Sequence, residues 1–310
     1  MARLRAIPLD LDGERGDLGP LSALDQIAGS ARVAFIGEMD HFILEKYSYR
    51  LMLIRYLASR GWRWFGEELS ATRGRRADAY LRTGDEKLLD PVPEPGWFTS
   101  GILANNRHPA AALHAAQARF MIAVRRVAPD ARWFGFDADA TDTEYLAMAN
   151  AATTYEALRP AMAQRERIMH SHVAQALETN PGEKAALLGA VLHLLKDDDA
   201  VAAPGVGAGP GGGEVRSVGH HVAHNLTTGP VLSVWLLHGR GRTANPWLPP
   251  PGELRPGRRT LEAQLSKKRT TPCFIPVPDD DRRRTVTQMH NLVLSCRLSD
   301  QVDGLVFAPE

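Results

Sequence analysis

Short apolar segments alternate along the chain with longer segments in which apolar residues recur every three or four positions. The short segments predict β-strands at residues 32–36, 62–66, 131–137, 231–239 and 304–307, and in the first half of 185–195. The longer segments predict helices at about 42–60, 75–82, 109–127 and 142–178, and near 285–296. Strands that alternate with helices favour an α/β fold, with a mostly parallel sheet flanked by helices and with helical insertions.

The same pattern predicts one folded domain after a short extended segment. Residues 1–20 form the extended lead-in and 21–310 a single α/β domain, with a helical insertion at about 142–178. Residues 201–213 are rich in Gly and Pro and too poor in large apolar groups to pack, which predicts a loop. The alternation of strands and helices resumes after this loop, so it is not a domain boundary. Residues 240–272, rich in Pro and Arg, are expected to be largely irregular.

Composition narrows the class of partner. The formal net charge of +1 gives no field that would favour nucleic acid or an anionic membrane surface. The two cysteines form neither a disulfide framework nor a structural zinc motif. The amino-terminal segment lacks the apolar core of a signal peptide, and no apolar run approaches the length of about 18 residues that suggests a membrane span. A cytoplasmic protein is therefore expected, without a membrane or nucleic-acid partner.

Acidic and imidazole side chains follow several of the predicted strands. The segment VAFIGEMDH runs from a strand through Gly37, which eases the turn, to Glu38 and His41. Glu68, Asp137 and His193 also fall at or just after predicted strand ends. In open α/β sheets ligands bind beyond the carboxyl ends of the strands. The sequence therefore predicts that these groups converge there on an acid/base site.

Two arginines occupy unusual positions in the helical pattern. Arg50 lies between Tyr47 and Ile54 on an apolar stripe, where a buried guanidinium is costly unless it is paired. The alternative is that its stem packs while its head reaches water. Arg165 has a similar position on a later helix. A guanidinium would suit a carboxylate partner or the oxyanion that develops during acyl transfer.

Other chemistries find less support in the sequence. There is no GxSxG elbow, P-loop or strand-linked GxGxxG. Two histidines with two carboxylates could ligate zinc, but the HExxH-type spacing is missing, so neither a metal nor another cofactor is expected. His220 and His221 open a helix after Gly219. Because adjacent helical residues do not face one pocket, at most one of the two is functional.

Several of these segments together resemble a known family. GEMDHF, followed by Arg50 nine positions after His41, resembles the Gly-Glu-x-x-His opening of the erythromycin esterase-like family. Six further segments resemble that family's motifs in the expected order over about residues 21–310: GWRWFGEE, WFGFD, RERIM, GAVLHLLKD, SVGHHVAHNL and DQVDGLVF.

The resemblance implies an α/β fold with helical insertions, and hydrolysis in which a histidine activates water without an obligatory metal. By the resemblance His41 is the general base and Glu38 orients it. Glu68 and His193 position water or substrate, and Arg50 anchors the carboxylates or stabilises developing charge. Asp137, Arg165, His220 and His221 complete the set as candidate substrate-binding residues.

One departure from the family pattern leaves the reaction open. Ala190 stands where the family has the first histidine of Gly-His-Asn-x-His, and His220 or His221 is a candidate for supplying that imidazole from another element. Three hypotheses follow. The first is an esterase-like hydrolase of an ester, a lactone or a related natural product. The second is a non-hydrolytic biosynthetic enzyme of cyclisation, elimination or epimerisation, and the third is an inactive binding protein. Each has a small-molecule or peptide partner.

Overall fold

The computed structural model describes residues 4–91, 110–202, 215–242, 253–254, 256–280, 282–288 and 292–309. Its strands are Ile7–Pro8 (β1), Val33–Glu38 (β2), Trp64–Ser70 (β3), Arg132–Asp137 (β4), Ala185–Ala190 (β5), Val231–His238 (β6), Gly241–Arg242 (β7), Glu253–Leu254 (β8), Cys273–Pro276 (β9), Arg283–Gln288 (β10), Leu292–Arg297 (β11) and Gly304–Ala308 (β12).

The helices lie mostly between successive strands of the sheet. They are Asp25–Ser30 (α1), Glu45–Ala58 (α2), Ala71–Thr83 (α3), Ala110–Val127 (α4), Thr143–Ala151 (α5), Tyr155–Thr179 (α6), Val218–His221 (α7), Leu261–Ser266 (α8) and Leu298–Gln301 (α9). Single 3₁₀ turns occur at Gly19–Leu24, Glu86–Leu89, Val191–His193 and Asp198–Ala200, and a π-helical turn, Val222–Leu226, continues α7. Within the described ranges, no helix is both long and apolar enough to cross a membrane.

A single eight-stranded sheet organises the domain, in the order β1-β9-β12-β6-β2-β5-β3-β4. The six strands from β12 to β4 are mutually parallel, whereas β1 and β9 pair antiparallel at one edge. The carboxyl ends of the parallel strands therefore meet at one edge of the sheet. The predicted fold class, a mostly parallel sheet flanked by helices, is confirmed.

Side chains of the central strands alternate between two cores. On β2, Ala34 and Ile36 pack in the core that includes residues of α1 to α4, whereas Val33 and Phe35 pack in the core that includes α6 and α7. This is the period of two that a strand buried on both faces requires. The helices α1 to α4 thus cover one face of the sheet, and α6 and α7 cover part of the other.

The predicted helix near 285–296 is wrong. This region contains β10 and β11, which pair antiparallel with Val286 opposite Leu294. Val286, Leu294 and Cys296 are buried, and their sequence neighbours within the strands are more exposed, which is a strand period and not a helical one. The β-branched residues Thr285, Val286 and Thr287 favour the same state.

Two further expectations meet the structure in part. The region 240–272 contains the helix α8 and the short strand pair β7 and β8, so it is less irregular than predicted. Thr260 caps α8 by accepting a hydrogen bond from the backbone N–H of Ala263 at 3.4 Å, a local signal that the proline content obscured. Of the predicted Gly-rich loop at 201–213, residues 203–213 lie outside the described residues.

Candidate active site

The last residue of β2 and the turn that follows it supply the first two site residues. Gly37 is required there, because a Cβ at this position would lie 2.8 Å from Cγ2 of Val191 and 3.1 Å from the indole of Trp235. The chain then turns as the Asp40 carboxylate accepts a hydrogen bond from the backbone N–H of Phe42 at 2.8 Å. This turn brings His41 back over Glu38, the last residue of the strand.

On the side of the sheet covered by α2, a buried arginine joins two strand ends. Arg50 of α2 donates from Nε and one terminal nitrogen to the two oxygens of Glu38, at 3.2 and 2.6 Å. Its other terminal nitrogen donates to Glu67 of β3 at 2.5 Å, and Gln117 of α4 donates to the second oxygen of Glu67 at 2.9 Å. The arginine side chain is only 2% exposed. Its head is therefore paired in the interior and does not reach water.

On the opposite side of the sheet, Arg165 of α6 makes a second such centre. Its guanidinium donates hydrogen bonds to both oxygens of Asp137 at 2.7 and 2.6 Å, and to Glu68 at 2.8 Å. His193, in the 3₁₀ turn after β5, lies with Nε2 at 3.3 Å from Glu68. The backbone N–H of Ala190 donates to the remaining oxygen of Glu68 at 2.8 Å. Glu68 thus connects β3, β5 and α6.

A buried glutamate supports His193 from behind. Nδ1 of His193 contacts Glu166 of α6, whose other oxygen accepts a hydrogen bond from the backbone N–H of Val218 at 3.1 Å. Glu166 is 1% exposed. Burial lowers the pKa of His193, but the charges of Glu166 and Glu68 outweigh burial and raise the pKa above its usual value. The ring thus lies between the carboxylate of Glu166 at Nδ1 and, at Nε2, the carboxylate of Glu68 and the guanidinium of Arg165, which is 3.2 Å away.

His41 joins the two centres. Its Nδ1 lies 3.0 Å from Glu38 and its Nε2 lies 3.5 Å from Glu68, and the side chain is 19% exposed. Two carboxylate contacts require a proton on each ring nitrogen. Burial alone would lower the pKa of His41, but Glu68 and Glu38 raise the pKa to about 9. At neutral pH this ring is an imidazolium.

The pKa values of two carboxyl groups of the site, those of Glu38 and Glu68, are lowered. Burial would raise the pKa of Glu38, but Arg50 and His41 outweigh it and lower the pKa to about 2. His193, His41 and Arg165 likewise hold the pKa of Glu68 well below its usual value, against the effect of burial.

Burial and the neighbouring Arg50 charge lower the pKa of Lys46 to about 8, and its ammonium donates to the backbone carbonyl of His41 at 2.5 Å.

The structure brings most of the predicted site residues into one connected network. They are Glu38, His41, Arg50, Glu68, Asp137, Arg165 and His193. His220 and His221 lie outside it. His220 contacts the Asp197–Asp198 turn and His224, and His221 stacks on His170 with ring centroids 4.4 Å apart. The hypothesis that one of them supplies an imidazole beside Ala190 therefore has no support from the described contacts.

Sequence reasoning missed three polar residues of this network. Glu67 follows the apolar run of β3 directly, and the alternation of strand side chains places it on the face opposite to Glu68. Glu166 adjoins Arg165 in the RERIM segment of α6, and in the structure its burial distinguishes it from a surface residue. Gln117 lies among the alanines of the amphipathic helix α4 and had no sequence signal of its own.

Comparison with solved structures finds proteins whose fold is similar to that of this chain. The chain matches a mutant of erythromycin esterase EreC in its open conformation with a TM-score of 0.67 and 15% identity, covering 99% of this chain and 98% of that one. A Bacillus cereus protein matches with a TM-score of 0.64 and 13% identity over 97% of this chain and 94% of that one. A protein named for succinoglycan biosynthesis gives the same TM-score and identity, over 97% and 93%.

At these identities the likeness shows the fold alone. The mostly parallel α/β sheet with its flanking helices is the fold that this chain shares with the erythromycin esterase structure. No protein-family model matches the sequence, and a search of curated proteins found no match.

Proposed function

We propose that this chain is a hydrolase of an ester or lactone and that His41 is its general base. The observation that carries the proposal is the position of the His41 ring. It is partly exposed, while Glu38 and Glu68, the carboxylates on its two nitrogens, are 0% and 4% exposed. A ring that is fixed by buried carboxylates and is still partly exposed can exchange a proton with a bound water.

The proposed reaction begins when the proton on Nε2 of His41 passes to bulk water. This nitrogen has the longer carboxylate contact, 3.5 Å against 3.0 Å, so Nδ1 keeps its hydrogen bond to Glu38 while Nε2 becomes a base. Nε2 then takes a proton from water as the water oxygen attacks the acyl carbon. The tetrahedral intermediate collapses, its C–O bond to the leaving group breaks, and Nε2 returns the proton to the departing alkoxide. The products are an acid and an alcohol.

The surrounding residues have supporting roles in this proposal. Glu68 and His193 hold the water beside Nε2, because Glu68 contacts both rings, at 3.5 and 3.3 Å. Arg50 is a positioning residue that fixes Glu38 and Glu67 and does not reach the substrate. Asp137 is 19% exposed, which leaves its outer edge able to accept a hydrogen bond from a substrate hydroxyl or ammonium group, and Arg165 holds it in place.

Ala190 changes this site without removing its centre. β5 pairs with β2 so that Ala190 lies opposite Glu38, and its methyl group is buried. The position contributes a backbone N–H to Glu68 in place of an imidazole. The proposed base therefore acts with one imidazole partner, His193. The non-hydrolytic alternative gains no support from the described contacts.

The substrate class rests on the structural likeness. One matched structure is an erythromycin esterase, and erythromycin esterase by its name acts on an ester bond of a natural product. We propose a substrate of the same chemical kind, a natural-product ester or lactone that reaches His41 and Asp137 from the carboxyl edge of the sheet.

The test compares His41→Ala with His172→Ala on a panel of esters and lactones. His172 is also a half-buried histidine with a backbone contact, 3.3 Å from the carbonyl of Phe136, so its substitution controls for loss of a ring. We expect wild type and His172→Ala to add one water to a substrate by mass, and His41→Ala to lose at least about 100-fold in kcat. Turnover by His41→Ala equal to wild type, or a product of unchanged mass, would overturn the proposal.

A further inference from the structure

A second group of metal-ligating side chains lies outside the site described above. Asp197, His220 and His224 each offer one ligand atom, and the three atoms lie within 4.8 Å of one another. Oδ1 of Asp197 is 3.7 Å from Nδ1 of His220, and the rings of the two histidines have centroids 4.3 Å apart. Within the described ranges, no other group of three or more His, Cys, Asp or Glu residues has metal-ligand spacing.

Local structure holds these three residues together. Ser217 caps α7 by accepting a hydrogen bond from the N–H of His220 at 3.2 Å, and both its hydroxyl and its own N–H donate to the buried Asp198 at 2.6 Å. The turn that carries Asp197 is therefore tied to the start of the helix. The π-helical turn after α7 then places His224 on the same side as His220.

We propose that Asp197, His220 and His224 bind a divalent transition-metal ion, with Zn²⁺ the best match. Two imidazole nitrogens and one carboxylate oxygen are a ligand set that zinc accepts, and water can complete the coordination. Ligands of tetrahedral zinc lie about 2.0–2.2 Å from the ion and so about 3.4 Å apart, which requires a small inward rotation of the side chains from the present spacing.

The charges and the exposure of the group fit a cation. Asp197 is 38% exposed and His224 is exposed, so an ion can enter without opening the core. Among the described residues no arginine or lysine pairs with the Asp197 carboxylate, whereas Arg216 pairs with the neighbouring Asp199 at 2.7 Å. The carboxylates of the candidate active site differ in this respect, because Arg50 and Arg165 already neutralise them.

Binding there would reinforce a segment that supports the candidate active site. Val218, the first residue of α7, donates its N–H to Glu166, which contacts His193. A metal that joins the Asp197 turn to α7 would fix the position of that N–H. The metal site itself does not depend on the proposed hydrolysis.

In the experiment ZnCl₂ is titrated into the 310-residue chain, and calorimetry measures the binding. The protein carries no histidine tag and is first treated with a chelator. His220→Ala and His224→Ala each remove one ligand. His221→Ala is the matched control, because His221 neighbours His220 in sequence but stacks on His170. Circular dichroism of each variant checks that it is folded, and MgCl₂ serves as the hard-cation comparison.

We expect one Zn²⁺ per chain in the wild type and in His221→Ala, and about 100-fold weaker binding in His220→Ala and in His224→Ala. Even loss of a residue that only hydrogen-bonds to a metal ligand lowers metal affinity about 10- to 100-fold. Absence of zinc binding by the wild type would overturn the proposal. So would equal affinity of all three histidine variants in the folded state, since that would place the ion elsewhere. Neither result would bear on the esterase assay.

Discussion

Glu67 and Glu68 are consecutive residues that serve opposite faces of the sheet. Glu67 accepts a hydrogen bond from Arg50 of α2 at 2.5 Å, and Glu68 accepts one from Arg165 of α6 at 2.8 Å. Because successive strand side chains point to opposite faces, the end of β3 supplies one carboxylate to each half of the site. The ring of His41 joins these halves at the sheet edge. Its ionisation should therefore depend on both.

The first prediction concerns the titration of His41. Since its two nitrogens lie on Glu38 and Glu68, we expect its ring to titrate near pH 9, against about 6.5 for a free imidazole. If His41 is the base, kcat/KM should rise with pH and level off near pH 9. NMR of the labelled ring measures the first quantity, and a pH–rate profile the second.

Substitution of Glu68 by Gln is the matching variant for this titration. It removes one negative charge beside Nε2 and should lower the pKa of His41 and move the rise in kcat/KM to lower pH, whatever its effect on the maximal rate. A wild-type midpoint near pH 6.5, or a midpoint that Glu68→Gln leaves unchanged, would contradict the described contacts.

The second prediction concerns stability against pH. A group whose pKa is raised on folding stabilises the protein fully below its unfolded pKa and loses this contribution as pH rises through its folded pKa. For His41 that window runs from about 6.5 to about 9. The free energy of unfolding of the wild type, relative to His41→Asn, should fall between pH 6.5 and pH 9.5. Urea unfolding at these two pH values measures it, and a constant difference would be evidence against a charged His41.

The third prediction concerns Arg50. Arg50→Met leaves Glu38 and Glu67 buried without their cation, and breaking a buried pair from one side costs about 3–5 kcal/mol. Arg126→Met is the control, since Arg126 pairs with Glu14 at 2.7 Å on the surface, where a pair contributes about 0–1 kcal/mol. Urea unfolding of both variants gives the comparison. A cost for Arg50→Met that matches Arg126→Met would show that the interior pair is not structurally important.

The sequence pattern predicted much of the sheet because its strands are buried on both faces. Runs such as those of β2, β5 and β6 are mostly apolar and are buried throughout, and a following helix with a clear apolar stripe leaves few alternatives. The same logic placed Glu38, His41 and His193 at one edge. Arg50 was visible as a charge in an apolar stripe, although its two partners were not.

The pattern of apolar residues led to wrong predictions where a segment contains too few of them to show its period. In β10 and β11 the buried positions Val286, Leu294 and Cys296 are few and divided between two strands, and the pairing between the strands identifies them as a sheet. Glu166 was missed for a related reason. A glutamate in a helix is usually exposed, and only the approach of Val218 and His193 from distant segments buries it.

The fourth prediction tests Glu166 as a positioning residue. Glu166→Gln keeps the shape of the side chain but removes its charge, so the pKa of His193 should fall and its ring should lose part of its orientation. We expect kcat/KM to drop about 100-fold, the cost of a misplaced group in an active site. Glu178→Gln, an exposed position of the same helix, is the control. A fall in activity without a change in the His193 titration would indicate a merely structural role.

The last prediction concerns the packing of the Glu68 side chain against Gly189 of β5. A Cβ at Gly189 would lie 2.8 Å from Oε2 of Glu68 and 3.1 Å from its Cβ, so Gly189→Ala should push the carboxylate away from Ala190 and from His41. Overpacking of this kind costs about 1–3 kcal/mol, and the pKa of His41 should fall as Glu68 moves away.

Gly29→Ala is the matched substitution, because a Cβ on Gly29 in α1 meets no atom within 4 Å. That change should be neutral or stabilise the fold by about 0.4–1 kcal/mol. Thermal unfolding and NMR titration of the two variants separate these outcomes, and equal behaviour of both would mean that Glu68 does not rest on Gly189.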